Sequence, residues 1–559
     1  MEIIFIILER FSIGENIVEL FIIIFFCFLL PMCVLVNPIR DCAKNNKSLF
    51  KEYKEEVFLF FIFMIGSFVR LFAIGKFPKA LNVDEASSGY DAFSLMKWGI
   101  DRGGNSYPVY LYAWGSCQSV LYSYLMIPII AVTGLTEYGI RLPMAITGVI
   151  SLYVFYYLIK NIFDNKKYGI IATAFFAICP WHIMKSRWGM ECNIFPDLIL
   201  LASLLLVLGL KKKNTQLQVL SFVVLAISSY SYGTSYLFLP VFVLGTLGYL
   251  IYKKELTIKK SIIYLLIMFV LCIPIIIYIF INTFGLEQIT IGKVTIPKLL
   301  VNRYDEVSTV FSGNIFENCV NNLLETLRIL ILQNDKLEWN AIPQYGLFYL
   351  ISIVFFIIGL RACVKKYKEN CFNQIMNIWM IAAIVLCAFC EANINRINII
   401  MIPCIYYIVV GLFEFLIKYK QLTVCIVVIY VVLFIEFMYS YVNKDYNKYY
   451  TFTSGVEDVV DYCKTLDVDN IYCKYSFKEP FMYFMFYGKE DVNEYLDTVE
   501  YFQEGRTFDN IRSFGKYKFY LPEEIEKNSV IIVPKNTEIE YNDESAQKVT
   551  INQFDIYEF

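Results

Sequence analysis

The chain has 559 residues, 58% of them hydrophobic and 17% aromatic, with 18% charged and a formal net charge of −2. A soluble protein of this length carries about 25% charged residues, so the composition excludes an ordinary soluble domain and indicates a polytopic α-helical membrane protein. The near-zero balance says little about partners, because the charges are sorted by side; no nucleic-acid partner is expected, and the single histidine, His182, argues against a His-based zinc centre or a Ser-His-Asp triad.

Apolar runs fit to cross a bilayer, about 20 residues each when straight, are read in chain order. They are 17–36, 57–74, 141–159, 168–180, 196–210, 216–232, 237–252, 261–283, 345–360, 372–390, 397–417 and 421–441, giving about 12 spans. The first residues are apolar and acidic, with no basic n-region, and do not read as a cleaved signal. Six connections are basic: Arg40–Lys54, Lys160–Lys167, Lys211–Lys213, Lys253–Lys260, Arg361–Lys368 and Lys418–Lys420. The positive-inside rule puts these in the cytoplasm. Residues 116–134 are apolar enough to cross, but a crossing there would turn every later basic loop outward. They are expected to lie along the outer face, inside one external loop spanning 75–140. The N-terminus, Trp181–Phe195, Tyr230–Tyr236, a second large loop at 284–344, Glu391–Arg396 and the tail 442–559 fall on the same face by parity.

The chain divides into an extra N-terminal span with its cytoplasmic loop (1–56), a membrane domain (57–441) and the tail (442–559). In the tail Gly455–Leu466 has helical spacing. Asn470–Tyr475, Tyr517–Leu521, Val530–Val533 and Val549–Ile556 read as strands, predicting a small external α/β domain of roughly one hundred residues. Most of the sixteen cysteines lie in apolar runs, as small buried hydrophobes. Of the six tryptophans, Trp98, Trp114, Trp181 and Trp188 read as membrane-interface aromatics, and His182 as an interfacial side chain. Glu414 and Lys418 read as a snorkelling pair at the inner rim. Arg141, Asp91, Asp101 and Arg102 read as structural.

Sorting by side gathers acids and bases on one face. The first loop holds N82-V-D-E-A-S-S-G-Y-D91, with Asp84 beside Glu85. The second holds P180-W-H-I-M-K-S-R-W-G-M-E-C-N193, with Lys185, Arg187 and Glu191, and the third E-A-N-I-N-R-I-N, with Glu391 and Arg396. An unpaired charge inside the bilayer costs roughly 3 kcal/mol, so polar chemistry belongs at this rim. A carboxylate can deprotonate an acceptor hydroxyl, and Arg or Lys can stabilise charge on a phosphate leaving group. From sequence alone a solvated loop or helix cap fits Asp84 and Glu85 about as well as a catalytic role.

D84-E-A-S-S-G-Y-D-A-F-S-L, G134-L-T-E-Y-G-I-R-L-P143, P180-W-H-I-M-K-S-R-W-G-M-E, Q333-N-D-K-L-E-W-N-A-I-P-Q-Y-G346 and N395-R-I-N-I-I-M-I-P403 occur in that order. Over roughly residues 57–420 the chain resembles the type C glycosyltransferases. It is closest to glycosyltransferase family 39, the dolichyl-phosphate-mannose–protein mannosyltransferases and their RgtA/B/C/D-like bacterial branch. The resemblance implies the type C glycosyltransferase fold, a polyprenyl-phosphate-linked sugar as donor, and an acid in the first external loop as the inverting catalytic centre. Asp84 matches that acid, with Glu85 beside it. Relatives often carry a second acid five residues after the Arg of the second loop. Here that place is Cys192 and the acid is Glu191, a departure that bears on whether a metal bridges the loops. Arg396, Lys185 and Arg187 are implied as contacts of the donor phosphate. A divalent cation, Mg²⁺ or Mn²⁺, is compatible with a carboxylate pair.

The expected function is membrane transfer of a sugar from a polyprenyl-phosphate donor to a glycan, lipid or protein acceptor on the outer face. Ile-, Lys-, Asn- and Tyr-rich usage is associated with AT-rich bacterial genomes and suggests a bacterial plasma membrane. Two other readings stay open from the residues. A lipid-linked glycan transporter would show repeated halves and ionisable groups near the bilayer midplane. A non-catalytic envelope assembly protein would bind partners through its tail.

Overall fold

The computed structural model describes residues 17–79, 81–114, 116–299, 314–337, 339–443, 454–474, 479–503, 508, 510–537, 539 and 546–559. The expected external N-terminus, residues 1–16, lies outside them. Each apolar run falls on a helix. α1 (Ile17–Met32), with a π-helical stretch at Phe25–Leu29, bends by 50° into α2 (Val36–Asn45). α3 (Lys54–Leu71) leads into the first loop, which holds α4 (Val83–Lys97), the hairpin β1 (Tyr110–Ala113) and β2 (Ser116–Ser119), and α5 (Leu121–Thr133).

Next come α6 (Glu137–Phe163), α7 (Lys166–Ile178) bent by 61° into α8 (Pro180–Ser186), α9 (Glu191–Lys211), α10 (Thr215–Ser228), α11 (Ser235–Tyr252) and α12 (Ile258–Phe284). β3 (Ile289–Ile291), β4 (Val294–Ile296) and α13 (Ile315–Leu332) precede α14 (Ser352–Lys365), α15 (Cys371–Phe389), α16 (Met401–Lys418) and α17 (Thr423–Val442). Among the described residues seven helices are long and apolar enough to cross a membrane, and up to nine if each bent pair is one span. The other runs fall short for physical reasons. α10 and α14 have 14 residues each, about 21 Å of helix, and α3 carries Lys54, Glu55, Glu56 and Arg70. α5, in the ambiguous 116–134 segment, has 13 residues. That is about 20 Å at 1.5 Å per residue, against the 30 Å of a bilayer core, which agrees with a segment that does not cross. α14 and α16 meet closely at glycines: a Cβ on Gly359 would stand 1.8 Å from the Tyr407 carbonyl oxygen, and one on Gly411 1.8 Å from that of Phe355. Small residues let two apolar helices bring their backbones into contact.

The tail is α/β. α18 (Val456–Thr465) buries Val456, Val459, Val460 and Cys463, the predicted face. β5 (Asn470–Cys473), α19 (Pro480–Gly488), α20 (Val492–Thr498), β6 (Glu500–Tyr501), β7 (Ile511–Phe514), β8 (Tyr517–Lys518), β9 (Ser529–Pro534), β10 (Gln547–Ile551) and β11 (Phe554–Glu558) complete it. The strands form one sheet in the order β10-β11-β9-β5-β8-β7-β6, with β5 parallel to β8 and β9. The expected single strand Val549–Ile556 is instead the β10–β11 hairpin, because Asn552 turns the chain at φ 52°.

The membrane domain has its own apolar core. A second core is shared between the first loop and the tail, joining Leu81, Tyr90, Trp114 and Met126 to Val460, Met482, Phe486 and Val530. Each such side chain contributes about 1.5–3 kcal/mol when buried, so the tail is packed onto the loop rather than tethered to it. Tyr90 Oη donates to the Glu490 carbonyl at 2.7 Å and Tyr483 Oη to that of Leu81 at 3.1 Å. The β3–β4 hairpin joins the same side: the Val109 N–H reaches the Thr295 carbonyl at 3.0 Å, and the Thr295 N–H that of Ser106 at 3.0 Å. The first loop thus packs against both the β3–β4 hairpin and the tail.

Candidate active site

The site starts at the first turn of α4. Asn82 caps it: its Oδ1 accepts the Asp84 N–H at 2.8 Å, while Glu85 Oε2 accepts the Asn82 N–H at 3.2 Å. This reciprocal box satisfies two backbone donors that a helix start leaves open. It also sets the adjacent acids in different surroundings.

Glu85 is fully buried. Arg141 grips it bidentately, Nε to Oε1 at 3.0 Å and Nη2 to Oε2 at 3.1 Å, and the Gly189 N–H donates to Oε1 at 2.6 Å. Arg141 also holds the Ile74 and Pro78 carbonyls at 3.0 and 2.8 Å. A Cβ at position 189 would fall 2.9 Å from the Ile140 carbonyl oxygen, so only glycine lets this N–H approach. Both carboxylate oxygens of Glu85 therefore bind three parts of the fold together.

Asp84 is half-buried. Its Oδ1 accepts the Trp114 indole N–H at 3.1 Å. The Trp114 ring stacks near Phe508 of the tail at 6.3 Å and 14°, with the Arg102 guanidinium 5.4 Å from its centroid. Arg102 in turn forms a buried bidentate pair with Asp91, at 3.0 and 3.1 Å. Nearby, burial pushes the Asp101 carboxyl up to about 6; Asp91 adds to the rise, and N–H groups of Tyr112 and Asn105 restrain it. On the tail side, burial and then the charges of Asp84 and Glu85 raise the Tyr483 phenol.

Glu191 opens α9. Its Oε2 accepts Gln118 Nε2 at 3.1 Å, and the same nitrogen reaches the Asp84 carbonyl at 3.3 Å. Gln118 Oε1 accepts the Ser87 hydroxyl at 2.8 Å. Gln118 is 3% exposed and joins the acid-bearing turns of the first and second loops. No sequence signal marks it: a lone glutamine in an apolar stretch has no motif around it.

The basic residues differ among themselves. Lys185 is buried; its Nζ lies 2.5 Å from Asp197 Oδ2 and 3.1 Å from the Asn193 carbonyl. Arg187 is buried too, donating to the Val69, Ala73 and Phe77 carbonyls at 2.9, 3.3 and 3.0 Å beyond and within the last turns of α3. Arg396 is the open one, its side chain 23% exposed and paired with exposed Glu391 at 2.6 Å. A cavity of about 20 Å³, lined by Trp181, Lys185, Asn193, Trp339, Asn395 and Asn398, brings the second and third loops together beside it.

Several sequence readings are corrected by these contacts. His182 is buried rather than interfacial, its Nδ1 2.7 Å from Arg70 Nη2 and its Nε2 3.4 Å from Asp197. Trp114, Trp181 and Trp188 are buried around the site, not lipid-interface anchors. Glu414 pairs with Lys366 at 2.8 Å, not with Lys418. The sequence holds one C-x-x-C, Cys387–Cys390 at the end of α15, and both thiols are free. Among the described residues no group of three or more His, Cys, Asp or Glu side chains converges on a point. Asp84 and Glu191 are the carboxylates Mg²⁺ or Mn²⁺ would need. The Gln118 amide donates to the Glu191 carboxylate and to the main-chain carbonyl of Asp84, so it joins the two turns without bridging the two carboxylates.

Residues 118–278 match the family model described as dolichyl-phosphate-mannose-protein mannosyltransferase. No curated protein matches in sequence. Among solved structures, the chain is similar to ArnT from Cupriavidus metallidurans bound to undecaprenyl phosphate. The identity is 12% over 90% of this chain and 97% of that one, with a TM-score of 0.55. The apo state of ArnT gives 11%, 89%, 97% and 0.54. The archaeal oligosaccharyltransferase AglB from Archaeoglobus fulgidus, in complex with an inhibitory peptide and a dolichol-phosphate, is 11% identical over 78% of this chain, with a TM-score of 0.49. This chain spans 64% of AglB's length. At such identities the likeness to ArnT is one of fold, and it extends from the membrane helices into the tail.

Proposed function

We infer that this chain, which has the type C glycosyltransferase fold, moves a sugar from a polyprenyl-phosphate donor to an acceptor hydroxyl on the extracytoplasmic face of a membrane. The observation that carries this reading is the meeting of Asp84 and Glu191, from two loops, at the single amide of Gln118. The match of residues 118–278 to a lipid-phosphate-sugar-dependent transferase family supports the reaction class. The undecaprenyl phosphate in the ArnT structure supports the carrier. The alternation of basic connections supports the face.

In this reading Asp84 is the base. It takes the proton of the acceptor hydroxyl as that oxygen attacks the anomeric carbon. The bond from that carbon to the donor phosphate oxygen breaks, polyprenyl phosphate leaves with the electron pair, and a single displacement inverts the anomeric centre. Arg396 neutralises the leaving phosphate, being the basic residue of the three that is partly open to solvent. Glu85, with both oxygens occupied by Arg141 and Gly189, holds the turn that carries Asp84. Lys185 and Arg187 shape the second loop from within.

The test uses the purified full chain with a polyprenyl-phosphate sugar. Release of polyprenyl phosphate that disappears in Asp84→Asn supports the transferase. Turnover unchanged in that variant removes Asp84 from the reaction, and no turnover with any polyprenyl-phosphate sugar favours a transporter or assembly role.

A further inference from the structure

A cavity of 340 Å³ lies on the far side of the Glu85–Arg141 pair, between the outer ends of the membrane helices and the tail. Its volume is that of a small-molecule site, about 300 Å³ or more. Neither Asp84 nor Glu191 lines it.

Its charges are unusual in being of both signs and only partly matched. Glu137 accepts the Tyr487 hydroxyl at 2.7 Å and lies 3.9 Å from Arg141. Lys464 is held by Asp461 at 3.0 Å and by the Tyr487 carbonyl at 2.7 Å. Glu19, Lys76, Glu457 and Lys489 also line the cavity, with Lys76 on the Glu19 side, and among the described residues Glu19, Glu457 and Lys489 form no ion pair within 4.0 Å. The Tyr138 hydroxyl, in the same wall, is buried without a hydrogen-bond partner. A buried hydroxyl left unmatched costs about 1–3 kcal/mol, which a bound polar group would offset.

The level in the membrane narrows the ligand. Glu19 lies between Ile17 and Phe21, which are 83% and 63% exposed on α1. Large apolar side chains open along a membrane helix face lipid, so the cavity mouth sits where lipid headgroups lie. Two unpaired carboxylates there call for a cation able to donate hydrogen bonds, and Lys489 calls for an anion beside it.

We propose that this cavity binds a zwitterionic head carrying a primary ammonium and a phosphate, the chemistry of a phosphoethanolamine group. The ammonium sits between Glu19 and Glu457, and the phosphate meets Lys489 and the Tyr138 hydroxyl. The proposal rests on the cavity's own charges and not on the transfer reaction, so binding tests it without turnover.

The experiment titrates the purified full chain with phosphatidylethanolamine, phosphatidylcholine and phosphatidylglycerol and reads retained lipid by native mass spectrometry. Phosphatidylethanolamine is expected to bind at least tenfold more tightly than the other two, because choline cannot donate hydrogen bonds and glycerol carries no cation. The double substitution Glu457→Gln with Asp461→Asn, on the exposed face of α18, is expected to remove that preference, and Glu494→Gln outside the cavity to keep it. Free phosphoethanolamine that displaces the lipid shows that the head alone suffices, and failure to displace shows that the acyl chains hold it too; both support the site. Equal retention of the three lipids, or a preference unchanged in the double variant, overturns it.

Discussion

Gln118 donates one side-chain nitrogen both to Glu191 Oε2, at 3.1 Å, and to the main-chain carbonyl of Asp84, at 3.3 Å. One amide thus fixes the distance between a turn of the first loop and the start of α9. Gln118→Ala removes that link and leaves the Ser87 hydroxyl without its acceptor. We expect kcat for donor turnover to fall about tenfold to a hundredfold, roughly 1.4–2.7 kcal/mol of barrier, with KM for the donor little changed. Gln118→Glu sets a like charge against Glu191 and is expected to be at least as damaging. A wild-type kcat in both variants would show that the loops hold their spacing without this amide.

Asp84 and Glu85 are neighbours in sequence and opposites in setting, so their isosteric substitutions separate. Asp84→Asn is expected to abolish turnover and leave the melting temperature little changed, since Asp84 is half-buried and its Oδ1 accepts from the neutral Trp114 indole, a bond the amide oxygen keeps. Glu85→Gln leaves Arg141 buried with half of its partner's charge gone. Breaking a buried pair costs about 3–5 kcal/mol, so this variant is expected to melt earlier and yield less folded protein. Thermal unfolding and turnover on the same preparations distinguish the two. A stable but inactive Glu85→Gln would make Glu85 a participant in the chemistry.

Trp114 connects Asp84 to the tail. Trp114→Phe keeps an aromatic ring against Arg102 and Phe508 while deleting the N–H that reaches Asp84 Oδ1 at 3.1 Å. The expected result is a kcat reduced about tenfold, the loss of one hydrogen bond to a charged group at about 1.5 kcal/mol, with an unaltered melting temperature. Trp114→Ala also opens the shared core and is expected to lower both.

What the sequence revealed follows from the range of the interactions involved. Apolar runs are local, so the helices from α1 to α17 that carry them were legible, and α5, which charge alternation kept from being counted as a crossing, has 13 residues. The face of α18 was legible for the same reason. Partners distant in the chain were not. Glu85 looks like a loop acid until Arg141 and Gly189 fold onto it. His182 looks interfacial until Arg70 and Asp197 enclose it. The buried tryptophans read as lipid anchors because the tail that covers Trp114 begins hundreds of residues later. The β3–β4 hairpin was missed: its strands have three residues each, and its Thr295 main chain is held by Ser106 and Val109 of another loop.

Arg187 illustrates the same limit. The family resemblance implies it as a phosphate contact, whereas its guanidinium meets the Val69, Ala73 and Phe77 carbonyls. Arg187→Met leaves those three acceptors in an apolar setting, at about 1–3 kcal/mol for each one unsatisfied. We expect a marked fall in melting temperature. Arg187→Lys, which lacks the planar fork, is expected to recover only part of it. A raised donor KM at an unchanged melting temperature would return Arg187 to the donor phosphate.

Arg396 is expected to behave in the opposite way. Its pair with Glu391 is open to water, with side chains 23% and 62% exposed, and exposed pairs contribute about 0–1 kcal/mol to stability. Exchanging Glu391 for an incoming phosphate therefore costs the protein little, whereas Lys185 would have to leave a buried carboxylate. Arg396→Ala is expected to raise the donor KM about tenfold or more while leaving the melting temperature within the small range set by a surface pair. Arg396→Lys keeps the charge but loses bidentate contact, and should fall between wild type and Arg396→Ala. Glu391→Gln removes the resident competitor, so its donor KM should equal the wild-type value or lie below it. A KM that rises in Glu391→Gln would mean that the pair itself, not the freed guanidinium, serves the donor.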